Sequence, residues 1–262
     1  MKPFEMLAVL EREVAPVALS DELCAKFGAY DNSGLILNCG NEVNGALFSL
    51  DLSPAAAKKA EELGYNLIVT HHPAIYSPVK RIDCAPGSPT EALAFCAIRG
   101  ISVISMHLNF DAAPRGIDYY LMRGLGGECE EALLNPLSSG GYGRVFPVRP
   151  QSFDGFCSNI SNEFAGRHIR FYNSGRQVKR VASFCGAGCD EDSIEFAVSH
   201  GADTFVSADM KHHHIAALSA AGLNVVEMTH YCSEIYGFER IYASLNCIKE
   251  IPSLFYKESI LF

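Results

Sequence analysis

Apolar and polar positions along this chain repeat one phrase: a helical stretch, a glycine, a short run of buried-type residues, then a polar cluster. Leu67-Ile68-Val69 is the clearest run. It is too short for a helix and lies between Gly64 and Pro73, so it predicts a buried strand. Pro73 lacks an N–H and restricts the residue before it, which ends regular structure just after His71-His72. Other strands are expected over residues 35–37, 46–50, 101–105, 144–148, 168–172, 178–185, 204–206 and 225–226. Helices are expected over 3–12, 54–63 behind a Ser53 N-cap, 90–99, 116–125, 153–164, 190–200, a stretch carrying His212 to His214 up to Ala221, and 235–245.

This alternation predicts an α/β fold of two related lobes, each with a mostly parallel sheet flanked by helices. Pro136, Ser138, Ser139, Gly140 and Gly141 mark a shift in composition, which sets the lobes at residues 1–135 and 136–262. Four polar clusters follow strands: Thr70-His71-His72, His107 to Asp111, Ser207 to Asp209 with the histidines after it, and His230 to Glu234. In open α/β sheets ligands bind at the carboxyl ends of strands. With two clusters in each half, the lobes are expected to face each other across one site in a cleft.

The clusters carry nitrogen and oxygen donors. His71, His72, Asp111, His230 and Glu234 give three imidazoles and two carboxylates. A single catalytic zinc takes about three protein ligands, so this set suits two divalent transition metal ions, of zinc, iron, manganese or nickel type. His230 and Glu234 share a face if the last helix begins at His230. Each residue also has a plainer role open to it. Asp111 can cap a turn, Glu234 can be a first-turn acid facing the helix dipole, and His107 can stand behind the ligands. His212, His213 and His214 point to three sides of a helix, with His214 expected in solvent. His107 or His212 is the candidate proton shuttle. Lys80, Arg81 and Lys211 are candidate contacts for a substrate's phosphates, or ordinary surface cations.

Composition narrows the class. Ten cysteines are dispersed without a C-x-x-C pair, as in a reducing cytoplasm rather than a disulfide framework. Glu5 and Glu11-Arg12-Glu13 interrupt any secretory signal, and Arg99-Gly100 splits the most apolar window, so no membrane span is expected. A net charge of −9 without a Lys/Arg cluster argues against a nucleic-acid partner and leaves a small-molecule substrate.

Several stretches together carry a resemblance: Asp31-Asn32-Ser33-Gly34-Leu35, Thr70-His71-His72-Pro73-Ala74-Ile75, Ser77-Pro78-Val79-Lys80-Arg81-Ile82, His107-x-Asn109-x-Asp111, Gly186-Ala187-Gly188, His212-His213 and His230-Tyr231-x-Ser233-Glu234. In this order and spacing, over nearly the whole chain, they resemble the NIF-three-like family, the type 2 GTP cyclohydrolase I homologues. The resemblance implies a dinuclear metal site on His71, His72, Asp111, His230 and Glu234, a ring-shaped homohexamer, and a short form without an inserted middle domain. It implies a metal-dependent hydrolase acting on a purine nucleotide, GTP, with hydroxide delivered to C8 and the ring opened to release formate. Leu108, Thr229 and Ser207-Ala208-Asp209 depart from the family's usual threonine, glycine and Thr-Gly-Glu. None of these removes a ligand, but all bear on the pocket's shape. Two other readings stand beside this one: a non-catalytic metal-binding protein for storage, delivery or scaffolding, and a metal-dependent phosphoesterase or amidohydrolase.

Overall fold

A computed structural model describes residues 1–164 and 168–258. In chain order the elements are α1 (Pro3–Glu13), α2 (Ala18–Phe27), β1 (Gly34–Leu37), β2 (Ala46–Ser49), α3 (Pro54–Glu62), β3 (Leu67–Thr70), α4 (Glu91–Arg99), β4 (Ser102–Ser105), α5 (Leu108–Ala112), α6 (Ile117–Gly124) and β5 (Ala132–Pro136). They continue with β6 (Gly141–Gln151), α7 (Phe153–Glu163), β7 (Arg170–Tyr172), β8 (Val178–Ser183), α8 (Glu191–Ser199), β9 (Thr204–Ala208), α9 (His212–Ala220), β10 (Asn224–Met228), α10 (His230–Ser244) and β11 (Ser253–Phe255). The chain divides into two compact units. One is Met1–Phe110 with the described residues from Ile241 onward; the other is Asp111–Arg240.

The first unit holds a sheet in the order β1-β4-β3-β2-β11. Strands β11, β2, β3 and β4 run parallel, and β1 pairs antiparallel with β4. Every residue of β2, β3 and β4 is buried, as expected of parallel strands covered on both faces. Leu47, Ile68 and Val103 pack with Ala56, Ala57 and Ala60 of α3 and with Ala92 and Cys96 of α4. Ser53 caps α3 by accepting from the Ala56 N–H at 3.0 Å, the role its place before Pro54 predicts.

In the second unit the order is β5-β6-β8-β9-β10-β7. Here only β8-β9-β10 are parallel, and β5–β6, β6–β8 and β10–β7 are antiparallel. The expectation of a mostly parallel sheet therefore holds for the first sheet and only for the centre of the second. The reason is local. The Pro, Ser and Gly cluster placed at the lobe boundary is the turn of the β5–β6 hairpin, so a division at residue 136 falls inside one sheet. Gly140 has φ +76°, and a Cβ there would lie 2.2 Å from the Ala112 carbonyl oxygen, so the turn requires glycine. Phe184 stacks on Phe205 at 5.0 Å in this unit's core.

Arg144 on β6 is buried and pairs through Nε with Asp118 of α6 at 3.0 Å. Asp118 also accepts from the backbone N–H groups of Gly143 and Cys185, at 3.0 and 3.2 Å. The ion pair thus anchors the chain just beyond β8. Among the described residues no helix is long and apolar enough to cross a membrane.

Candidate metal centre

In the first unit the turn after β3 is held at several points. The backbone N–H groups of His71 and His72 both donate to the Leu50 carbonyl, at 3.1 and 2.9 Å, and the Thr70 hydroxyl donates to the His72 carbonyl at 2.8 Å. Adjacent side chains leave the turn as neighbours, with ring centroids 5.0 Å apart. His107, after β4, brings a third ring to 5.2 Å from His71 and 5.8 Å from His72. Each of the three rings offers a nitrogen within 4.8 Å of the others.

All three rings are fixed through Nδ1. His71 donates to the Met106 carbonyl at 3.0 Å, His72 to Asp51 at 2.7 Å and His107 to Asp31 at 2.9 Å. A carbonyl or carboxylate accepts, so Nδ1 carries a proton and Nε2 is the nitrogen left to meet a metal. This is the tautomer that a metal ligand needs, oriented from behind by its partner. The Ser33 hydroxyl donates to Asp31 at 2.6 Å and accepts from the His107 N–H at 2.9 Å, which gives the Asp31-Asn32-Ser33 motif its local task.

Burial acts to raise the Asp31 carboxyl, but hydrogen bonds led by His107 and Ser33 outweigh it and hold the group at about 2, below its ordinary 3.8. Because the folded value is the lower one, the stabilisation is present above pH ~4 and is lost as pH falls toward ~2. It is worth about 2 kcal/mol. Asp31→Asn in metal-free protein is therefore expected to flatten the fall in stability between those pH values, measured by urea unfolding at each pH. An unchanged acid limb would remove Asp31 from this role.

In the second unit α10 begins at His230, five residues before the expected start. Thr229 tethers the first turn, its hydroxyl accepting from the Cys232 N–H at 3.1 Å. His230 and Glu234 thus lie on one face, with Nε2 of the ring 3.0 Å from the Glu234 carboxylate. The ring's other nitrogen donates to Asp209 at 2.6 Å. A carboxylate on each side of one imidazole is an arrangement that a proton or a metal cation on Nε2 satisfies. Glu234 is 2% exposed, which is far from a solvated first-turn acid.

Asp209 stands just beyond β9 in the left-handed region, at φ +50°. Such a backbone is disfavoured except at Gly, Asn and Asp. Here it aims the carboxylate at His230. Gly186, at φ +60°, closes the floor beneath the pair, since a Cβ there would lie 2.4 Å from Glu234 Oε1 and 3.4 Å from His230 Nε2. Its N–H donates to the Ser233 hydroxyl at 2.9 Å, and its carbonyl accepts from the Ala208 N–H at 3.1 Å. Gly186→Ala is expected to cost about 1–2 kcal/mol in backbone strain and to weaken metal binding by on the order of 10–100-fold through displacement of Glu234. Metal titration beside thermal unfolding separates the two effects, and unaltered affinity would show that Gly186 does not shape the site.

Asp111 sits on α5, 4% exposed, and accepts from the Cys185 thiol at 3.3 Å. Burial first, and then the charges of Asp111, Asp118 and Glu234, push that thiol well above its ordinary range. Cys185 is thus a protonated donor to a carboxylate. The donors of each unit are imidazoles and carboxylates, and these buried His, Asp and Glu groups can hold a metal ion of the borderline or hard N/O class.

The remaining predicted residues face solvent: Lys80 and Arg81 on the loop before α4, and Lys211 and His212 at the start of α9. His214, expected in solvent, is buried. Sequence reasoning passed over Asp31, Asp51 and Asp209 as partners of the rings. The signal available for them was only a carboxylate near the end of a strand or turn. An open cavity of about 420 Å³ borders His230 and Asp209, with His168, Arg170, Glu227 and Thr229 also in its lining. His168, at φ +68°, and Asp209 are the described non-glycine residues with positive φ, and both line it. Strain of this kind gathers at functional sites.

The profile of the Duf34/NIF3 (NGG1p interacting factor 3) family matches residues 13–258. Over 231 residues the chain is 29% identical to a Methanocaldococcus jannaschii protein named GTP cyclohydrolase 1 type 2 homolog, covering 86% of this chain and 90% of that one. A Helicobacter pylori J99 protein named GTP cyclohydrolase 1 type 2 is 29% identical over 242 residues, covering 92% and 90%. Among solved structures, a Bacillus cereus protein related to NIF3 matches with a TM-score of 0.81 at 17% identity, covering 98% of this chain and 97% of that one. A Staphylococcus aureus hypothetical protein matches with a TM-score of 0.81 at 23% identity, covering 98% and 96%. These two likenesses concern the fold; the profile match extends over nearly the entire chain, which belongs to the Duf34/NIF3 family.

Proposed function

We propose that the chain is a metal-dependent hydrolase acting on a purine nucleotide of the GTP type. Its site holds two divalent transition metal ions on His71, His72, Asp111, His230 and Glu234. The observation that carries this reading is the state of the rings. His71, His72, His107 and His230 each commit Nδ1 to a carbonyl or carboxylate, at 3.0, 2.7, 2.9 and 2.6 Å, and so present Nε2. The names of the M. jannaschii and H. pylori relatives supply the substrate class.

When bound, such metals activate a water and polarise the bond under attack. The chain's own residues do the rest. Asp51 and Asp209 hold their imidazoles in place and raise their basicity. His107, held by Asp31 and half-buried beside His71 and His72, moves a proton at Nε2. Lys80, Arg81 and Lys211 meet the phosphates, and His212 is the alternative proton carrier. A closed site would favour metal storage, whereas the cavity beside His230 favours access for a substrate.

The test is formate release from GTP by metal-reconstituted, untagged protein, beside His71→Ala combined with His230→Ala. The expected result is turnover in the wild type and none above background in the double variant, which retains its far-UV signature. Retained turnover in a folded double variant would overturn the reading.

A further inference from the structure

A second group of ligands lies in the second unit, on residues that the proposed hydrolase site leaves unused. Helix α8 opens with Asp190-Glu191-Asp192 and helix α9 with His212-His213-His214. Glu191, His213 and His214 each bring one donor atom within 4.8 Å of the other two. The rings of His213 and His214 are 4.2 Å apart and nearly perpendicular, at 72°.

His214 is the informative member, because it is 3% exposed. Its Nδ1 is buried with no hydrogen-bond partner among the described residues. Its Nε2 reaches Glu191 only at 3.4 Å, long for a charge-assisted hydrogen bond of roughly 2.7–2.9 Å. A buried imidazole with so little polar compensation is costly. The rings of His71, His72, His107 and His230 differ, each having one nitrogen held at 3.0 Å or less.

We propose that Glu191, His213 and His214 form an auxiliary site for a divalent transition metal that ties the start of α8 to the start of α9. Two imidazoles and one carboxylate select zinc, nickel, cobalt or copper over magnesium and calcium. Three protein ligands leave room for water on the metal. Helix N-termini oppose a cation, but the acidic run of α8 offsets that field. Asp190 is engaged in capping α8, accepting from the Ser193 N–H at 2.8 Å, and Glu191 is the carboxylate whose donor atom lies within reach of both rings. The metal converts a long contact between two elements into a bonded link.

The test uses zinc as the probe on untagged protein. Because Glu191 and His213 are exposed, Glu191→Gln with His213→Ala removes two donors without opening the core. After equilibrium dialysis against zinc, this double variant is expected to hold one equivalent fewer than the wild type and to lose part of the zinc-dependent rise in Tm. The same pair placed in a His72→Ala/His230→Ala background separates this site from the hydrolase site, since that background should retain the one equivalent and lose it only when the α8–α9 pair is added. Equal zinc content and equal Tm shifts with and without Glu191→Gln/His213→Ala would overturn the proposal, as would a His72→Ala/His230→Ala protein that folds and binds no zinc.

Discussion

Glu234→Gln is expected to bring the metal bound at the hydrolase site from about two equivalents to one or fewer, and to lower nucleotide hydrolysis by on the order of 10³-fold or more. Glutamine keeps the shape of the side chain, so the packing against Gly186 and the first turns of α10 is preserved. What it removes is the charge. Glu234 is 2% exposed and lies 3.0 Å from His230 Nε2, and a neutral amide there offers one weakly donating oxygen where a carboxylate offers two. His230 would still be held by Asp209, so the ring stays in position while its neighbouring ligand is lost. Metal analysis and formate release on the same preparation check the two halves. Full metal content with full turnover would show that Glu234 is a structural acid.

Arg144→Ala is expected to lower the unfolding free energy by about 3–5 kcal/mol, the cost of leaving a buried charge without its partner. Arg144 meets Asp118 at 3.0 Å and Glu130 at 3.2 Å, and it lies 5.9 Å over the Tyr119 ring. Burial raises the Asp118 carboxyl to about 6 against the pull of Arg144. For a carboxyl whose folded value is the higher one, ionisation costs stability above that value and the cost is relieved on acidification. Without that pull the carboxyl titrates higher still, so the deficit of Arg144→Ala should shrink as pH falls toward ~6, and adding Asp118→Asn should recover part of it at neutral pH. Urea unfolding at several pH values checks both. A deficit independent of pH would mean that the loss is one of packing.

The elements that carry the candidate ligands were legible because their sequence signals are local. Leu67–Val69 with Pro73 fixes where His71 and His72 leave the sheet, and the spacing of His230 and Glu234 fixes a shared helix face. What was not legible depends on tertiary pairing. Asp51 and Asp209 lie 21 residues from the histidines they orient and Asp31 lies 76 away, and no periodicity records such a distance. The final helix was expected too late because Thr229 and Tyr231-Cys232 do not form an apolar stripe, and the cap at Thr229 decides the start. β11 joins the first sheet beside β2, so the chain's last described strand belongs to the unit with which it begins. The Pro136–Gly141 cluster read as a linker because tight hairpins and linkers use the same residues. His214 read as solvated because a run of three polar residues hides which one faces the core.

Metal content per chain tests the central claim most directly, on protein purified without an affinity tag or chelator and beside the His71→Ala variant. The account predicts about two equivalents of a transition metal at the hydrolase site in addition to any held by Glu191→Gln/His213→Ala-sensitive ligands, with the former lost in the variant. No bound metal after reconstitution at neutral pH would contradict it, and the ordered histidines would then be hydrogen-bonded turn residues without a cation to hold.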